Sequence, residues 1–305
     1  MTAPDPRAAR LEAITARLRE GGAKPDRWFA FLLPKFRPGP NLDQLTAAAA
    51  LSLDGDAPDV AKAVQARCKA LAESNARALP AEFWVMAALT LAFGLPGELA
   101  AGREARSRLA LAALGASPDE GLDPLAKLKA AMAPRVSDKA RGYDAVMDVY
   151  AAALSARGER ADAIGERLDE AEATFKPDRK ASKLARHGAR ACLAFQVDPA
   201  EALGRFSALS SMVGSDKRAA KLPGRLVMDW AVYGLDEASA VDVLALAGAL
   251  AGASKRLEVV DAQLGYLVWL HSKSELNRPA FMATLLGAAQ AGLPGGSAGG
   301  DTGGG

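Results

Sequence analysis

The residues of this chain with the most restrictive chemistry are two histidines, two cysteines and one acid set in an apolar run. His187 lies in Lys183-Leu184-Ala185-Arg186-His187-Gly188-Ala189-Arg190, and Cys192 follows five positions on. A structural zinc ion takes three or four such ligands at short spacing, and nothing nearby completes this pair, so no metal is expected. His271 ends the apolar segment Leu267-Val268-Trp269-Leu270, where a helix C-terminus favours a histidine without further role. Asp229 sits within Leu226-Val227-Met228-Asp229-Trp230-Ala231-Val232-Tyr233 and is the acid with the most apolar surroundings. Burial penalises a carboxylate unless a cation or donor offsets the lost water, so an arginine partner from the nearby basic stretch is expected. Together with Trp230 and Trp84, Asp229 also marks the candidate lining of an apolar ligand pocket.

Charge is segregated along one stretch. Glu159, Asp162, Glu166, Asp169, Glu170 and Glu172 crowd a single helical segment. Asp162 and Glu166 stand one turn apart, but di-iron bundles add Glu-x-x-His pairs, which the chain lacks. A water-facing surface is the expected reading of these acids. Lys176, Arg179, Lys180, Lys183, Arg186 and Arg190 follow at once, with Lys217, Arg218, Lys221 and Arg225 further on. Lys180, Lys183, Arg186 and Arg190 form the candidate basic patch for phosphate or nucleic acid. Aromatic side chains for base stacking are scarce there, so nucleic acid is disfavoured, and neutralisation by the acidic neighbour is expected.

Motifs of several common enzyme classes are missing: no P-loop, dinucleotide glycine pattern or His-Glu-x-x-His occurs. No cofactor is expected. The net charge of +2 generates no global field toward polyanions. Cys68 and Cys192 are expected as buried thiols in a reducing compartment. The first residues carry no apolar leader segment and the apolar runs are too short for a bilayer, so a cytoplasmic protein without membrane contact is expected.

Half of the 305 residues are apolar, alanine is abundant and aromatics make up 6%, which favours close helix packing over sheet. The pattern predicts an all-α fold, an irregular multi-helix bundle or α-α superhelix of about a dozen helices with no sheet. Residues 81–95, between Pro80 and Gly94-Leu95-Pro96, are apolar on every face and are expected as the central, enclosed helix. Surface or buried helices are expected over 7–20, 28–33 and from Leu42 to Ala49, then over 58–75 and 98–114. Tyr143, Val146, Met147, Tyr150 and Leu154 trace an amphipathic stripe. Ala161, Ile164, Leu168, Ala171 and Phe175 repeat at steps of three and four, the seam of a nearly antiparallel pair. Ser117-Pro118-Asp119-Glu120 and Asp198-Pro199-Ala200-Glu201 have the form of capping boxes. Helix pairs of roughly forty residues match the length of HEAT-like units, but Pro-x-Glu at Pro80, Pro118 and Pro199 is too generic to establish repeats. One all-α domain over 1–292 is expected, with a candidate division into two lobes at 134–138, and a disordered Gly-rich tail over 293–305.

These residues support three functional expectations. The leading one is a soluble helical scaffold or protein-interaction module without catalytic activity, binding another protein. The second is an α-helical enzyme or small-ligand carrier around Asp229, Trp230 and Trp84. The third is phosphate or nucleic-acid binding by residues 176–225. Oligomeric state is not written in these patterns.

Overall fold

The computed structural model describes residues 45, 46, 49, 50, 53, 57–74, 82–102, 104–133, 143–251, 254–271 and 276–291. The expected helices over 7–20 and 28–33, the division at 134–138 and the tail over 293–305 lie outside them. Leu45, Thr46, Ala49 and Ala50 are helical, on the segment expected from Leu42 to Ala49. Twelve α-helices and no strand follow among the described residues. They are α1 (Ala57–Ser74), α2 (Phe83–Ala92), α3 (Ala105–Ala113), α4 (Leu122–Ala131), α5 (Tyr143–Ala156) and α6 (Ala161–Phe175). Then come α7 (Ala185–Phe195), α8 (Pro199–Ser215), α9 (Gly224–Val232), α10 (Glu237–Ala251), α11 (Val259–His271) and α12 (Arg278–Ala291). Short 3₁₀ turns cover Gly97–Ala100 and Ala181–Leu184. The protein is all-α, and no described helix is long and apolar enough to cross a membrane.

The apolar segment 81–95 forms α2 and is enclosed, with Val85, Met86, Ala87, Ala88 and Leu89 fully buried. Gly94 ends it at φ +64°, with Leu95 N–H donating to Thr90 O and Gly94 N–H to Leu91 O. That double bond is the Schellman closure, which needs a left-handed residue where glycine stands. Yet α2 does not hold the centre. It packs on α1, α3 and α12, whereas α5 lies among α3, α4, α7 and α12. Helix α5 is buried on every side from Ala145 to Leu154, not along one stripe as its larger residues suggested. The reason is in its small residues: Ala145, Ala151, Ala152 and Ala153 let neighbouring helices close over the faces that bulky side chains do not occupy.

Burying α5 from Ala145 to Leu154 also buries Asp148, and two helices, α3 and α4, supply its partners. Lys129 Nζ lies 2.5 Å from Asp148 Oδ1, Ser107 Oγ donates to the same oxygen at 3.0 Å, and Arg106 Nε stands 3.3 Å from Oδ2. Arg106 Nη1 also reaches Glu82 Oε1 at 2.9 Å, just before α2. Arg106 therefore ties the buried helix α2 to the buried helix α5. The helix expected over 98–114 is divided to allow this, because Gly102 adopts φ +88° between the 3₁₀ turn and α3.

Other local expectations divide similarly. Asp198 caps α8, accepting from Ala200 N–H at 2.8 Å and Glu201 N–H at 3.0 Å. Ser117 accepts from Glu120 N–H at 3.4 Å, but this closes a turn, and α4 begins later at Leu122. The seam Ile164–Leu168–Ala171–Phe175 is buried as its spacing requires, but it faces α7, α4 and α8 in preference to its sequence neighbour α5. Arg157 explains that swing: at the end of α5 it donates to Leu193 O and Ala194 O, binding α5 to the C-terminus of α7.

Removing Asp148 leaves Lys129 without its buried acceptor and Arg106 with Glu82 alone. Asp148→Ala is expected to lower unfolding free energy by about 3 kcal/mol, the usual scale for breaking a buried ion pair from one side. Urea titration followed by helical circular dichroism measures it; a loss below about 1 kcal/mol contradicts this reading of Asp148.

Candidate functional site

Two places gather the residues singled out in the sequence. The first is a buried polar cluster where α5, α7, α9 and α11 meet. Gly188 sets its geometry: a Cβ there would lie 3.1 Å from Met228 Sδ and 3.2 Å from Phe175 Cζ, closer than normal packing. Glycine thus lets α7 settle against α9 and α6, with His187 beside Asp229. His187 Nε2 stands 2.5 Å from Asp229 Oδ1, and Tyr150 O–H donates to the same oxygen at 3.4 Å. Tyr150 and Tyr233 hydroxyl oxygens are 3.2 Å apart. Each phenol carries one proton, so if Tyr150 donates to Asp229, Tyr233 must donate to Tyr150. The hydrogen-bond chain runs Tyr233, Tyr150, Asp229, with His187 closing it from the other side.

The expected arginine partner of Asp229 is therefore replaced by His187. Arg225, one turn back on α9, is close enough for its charge to bear on Tyr150 and His187, but the short contact to Asp229 is the histidine's. Burial lowers the pKa of His187 below its ordinary 6.5, opposed by the Asp229 charge. The neutral ring then donates Nε2–H to the carboxylate. Burial and the same charge push Tyr150, Tyr233 and Tyr266 well above the usual phenol range, so all three stay protonated.

Trp230 is fully buried in this cluster, its ring 6.3 Å from that of Tyr266, which stacks at 5.9 Å on Trp269. Trp84 is elsewhere. It packs edge-on against Phe83 on α2, whose neighbours are α1, α3 and α12, while α9 packs on α7 and α8. Asp229 and Trp230 are thus brought together and Trp84 is not.

The second place is the basic stretch, which the fold splits in two. Arg190 is fully buried and donates to Ala133 O at 3.0 Å. Arg186 turns toward the acidic helix α6, with Nη1 at 2.6 Å from Asp169 Oδ1 and 3.0 Å from Glu172 Oε2. Glu172 is itself buried, unlike the other acids of its helix expected to face water; burial would raise its pKa, but donors from Lys176 and Arg186 hold it below the ordinary value. Lys180 and Lys183 stay exposed and, with Arg179, line an open groove of about 510 Å³. Its floor is apolar, built from Leu184, Phe206, Leu222 and Val227, with Ser210 and Gly214 along the α8 side and Gly224 at the start of α9. A smaller hollow of about 290 Å³ continues past Phe206 and Ser207.

Local chemistry keeps these three cations outward. Asp178, the acid in the same turn, directs Oδ1 onto the backbone N–H groups of Lys180 and Ala181, at 2.8 and 2.7 Å. Arg179, Lys180 and Lys183 form no ion pair among the described residues. Phe206 is buried with Leu209 and Val213, as its helix stripe predicts, and Leu222 and Val227 are core residues too, so the apolar surface of the groove is mainly that of Leu184 and Ala220. The sequence signal for the outward cations was that Arg179, Lys180 and Lys183 fall in a non-helical turn after Pro177, whereas Arg186 and Arg190 fall on a helix beside apolar residues.

Comparison of the chain with known protein families, with curated proteins and with solved structures finds no match in any of the three.

His187 links the buried cluster to pH. Its folded pKa is depressed, so the unfolded chain binds the proton more readily; stability is complete above about pH 6.5 and falls as pH drops through the folded value. Urea midpoints measured from pH 8 to pH 5 are expected to fall more steeply for wild type than for His187→Gln. Parallel slopes for the two proteins contradict a neutral His187 in the fold.

Proposed function

We propose that this protein is a non-catalytic helical interaction module that holds an anionic partner in the groove between the 181–184 turn, α8 and α9. The observation that carries the reading is the groove's unpaired charge: Arg179, Lys180 and Lys183 line it while Asp169 and Glu172 of α6 are engaged by Arg186. Cations left without intramolecular partners steer and orient an acidic ligand, and Leu184 and Ala220 are the apolar lining residues open to it. Phe206 is the one aromatic side chain among the groove's lining residues, which supports a protein partner over single-stranded nucleic acid, where successive bases need successive rings.

The enzyme or carrier alternative around Asp229 has weaker support. Asp229 is already engaged by His187 and Tyr150, and Trp84 stands on a different part of the bundle. Free, buried Cys68 and Cys192, whose thiols burial pushes up to about 12, support a reducing compartment and hence the cytoplasm.

The test is affinity isolation with the full chain as bait, wild type beside Lys180→Glu plus Lys183→Glu. At least one stoichiometric binder is expected to fall roughly tenfold with the double reversal and with a rise in salt, because exposed attraction is screened within about 10 Å at 0.1 M. Helical signal and melting temperature should not change, since both side chains face water. Binders that ignore the reversal and the salt would overturn the reading.

A further inference from the structure

Helix α10 carries a second surface, separate from the groove of Arg179, Lys180 and Lys183. It packs mainly on α11, with a smaller contact to α8. A surface helix ordinarily turns polar side chains to water. This one turns out Ala238, Val241 and Ala245, which share a face at steps of three and four. Val241 is 59% exposed, and among the described residues no other large apolar side chain is as exposed. Leu244, Gly248 and Ala249 continue the face, partly buried, and with Met212 of α8 they line an open trough of about 710 Å³. The only charged residues of α10 are Glu237 and Asp242.

We infer that this face binds a second copy of the chain, the two α10 helices crossing antiparallel about a two-fold axis at Ala245. Such an axis sets each residue against the one equally far beyond Ala245 in the copy. Val241 then meets Ala249, so the most exposed apolar side chain of each copy enters the trough of the other where only a methyl group stands. Ala245 meets itself, and helices with such small residues at the contact approach to about 8 Å. The charges match as well. Asp242 meets Gly248, and a Cβ on that glycine would lie 3.0 Å from Arg218 Nη1. Arg218 Nη2 donates to Gly248 O at 3.4 Å, which fixes the positive charge at that point of the face. The Asp242 carboxylate is exposed, with no ion pair or side-chain hydrogen bond among the described residues. A parallel pair would instead set Asp242 against Asp242 and Val241 against Val241.

A face that carries a bulge and its hollow, and an acid and its cation, at equal distances from one residue is complementary to itself. An isologous interface requires that property. The 15 residues of α10 offer a strip about 22 Å long and about 10 Å wide, short of the roughly 800 Å² per partner of a standard interface. The dimer is therefore weak and concentration-dependent.

The test uses full-length chains with single surface cysteines, since the native Cys68 and Cys192 are buried. Chains with Val241→Cys are mixed with chains with Ala249→Cys and oxidised by copper–phenanthroline in air. A disulfide needs Cα atoms within about 7 Å, whereas the antiparallel crossing holds the two copies of residue 241 about 12 Å apart. The mixture is expected to cross-link at least tenfold faster than either variant alone, and Ala245→Cys to cross-link with itself. Sedimentation equilibrium of wild type, run up to the solubility limit, should show a mass rising toward twice that of one chain. Ala245→Glu should return it to monomer with unchanged helical circular dichroism, because that side chain faces water in the single chain.

Val241→Cys chains that cross-link with each other as fast as with Ala249→Cys overturn the antiparallel pairing. A mass that stays at one chain throughout overturns the dimer. A dimer that Ala245→Glu leaves intact uses another face, which overturns this one equally. None of these outcomes bears on the groove, whose test rests on Lys180 and Lys183.

Discussion

The fold depends on burying α5 on every side from Ala145 to Leu154. An α-helix is usually positioned by one apolar stripe, which leaves its outer face to water and its neighbours free to choose among several arrangements. Helix α5 has no such outer face between Ala145 and Leu154, so helices must close around it. Alanines make the closure possible, and Asp148 makes it specific. An unpaired carboxylate there would cost several kcal/mol, and it is offset by groups arriving from α3 and α4 together. Arg106 extends that requirement to α2 through Glu82. Two apolar helices far apart in sequence are thereby fixed relative to each other by polar contacts, while the apolar packing fills the space between.

The same logic repeats at the groove end of the molecule. Gly188 brings α7 against α9, and His187 and Asp229 join them by a short hydrogen bond. Leu184 leads into α7 and Val227 stands on α9, so the floor of the groove is positioned by that buried bond beneath it. Arg205, from α8, donates to Ala231 O at the end of α9 and fixes the third wall. A groove built this way is a rigid feature of the core's geometry, because moving any wall would strain a buried polar contact. Preorganised surfaces of this kind lose less conformational entropy when a partner docks.

Element types were legible in the sequence, and element partners were not. The all-α class followed from composition and from period-3.6 patterns, and α2, α6 and the cap at Asp198 are where those patterns put them. The position of α5 was not readable, because Tyr143, Val146, Met147, Tyr150 and Leu154 already form a convincing one-sided stripe. Burial of the other side depends on alanines, which are compatible with either environment. The partner of Asp229 was missed for a related reason. Its apolar surroundings announced burial, but whether Arg225, another arginine or His187 would reach it depends on the tight contact at Gly188, a tertiary property. For the candidate patch, counting charge was not enough: Arg190 and Arg186 are structural and Lys180 and Lys183 are not.

That division decides what the basic stretch can do. Had all its cations faced water, the acidic helix α6 would have left a broad and weakly directed surface. Instead Arg186 draws Asp169 and Glu172 into contacts of 2.6 and 3.0 Å, and Lys176 stands 3.3 Å from Glu172. The pair to Asp169, whose carboxylate faces water, adds about 1 kcal/mol or less to stability, so its larger consequence is for the field it cancels. These contacts neutralise one side of the stretch, and Asp178 is occupied with backbone N–H groups on the other. Arg179, Lys180 and Lys183 carry no ion pair among the described residues, and all three line the groove. The field at the groove is set by the cancelled charges as much as by those that remain.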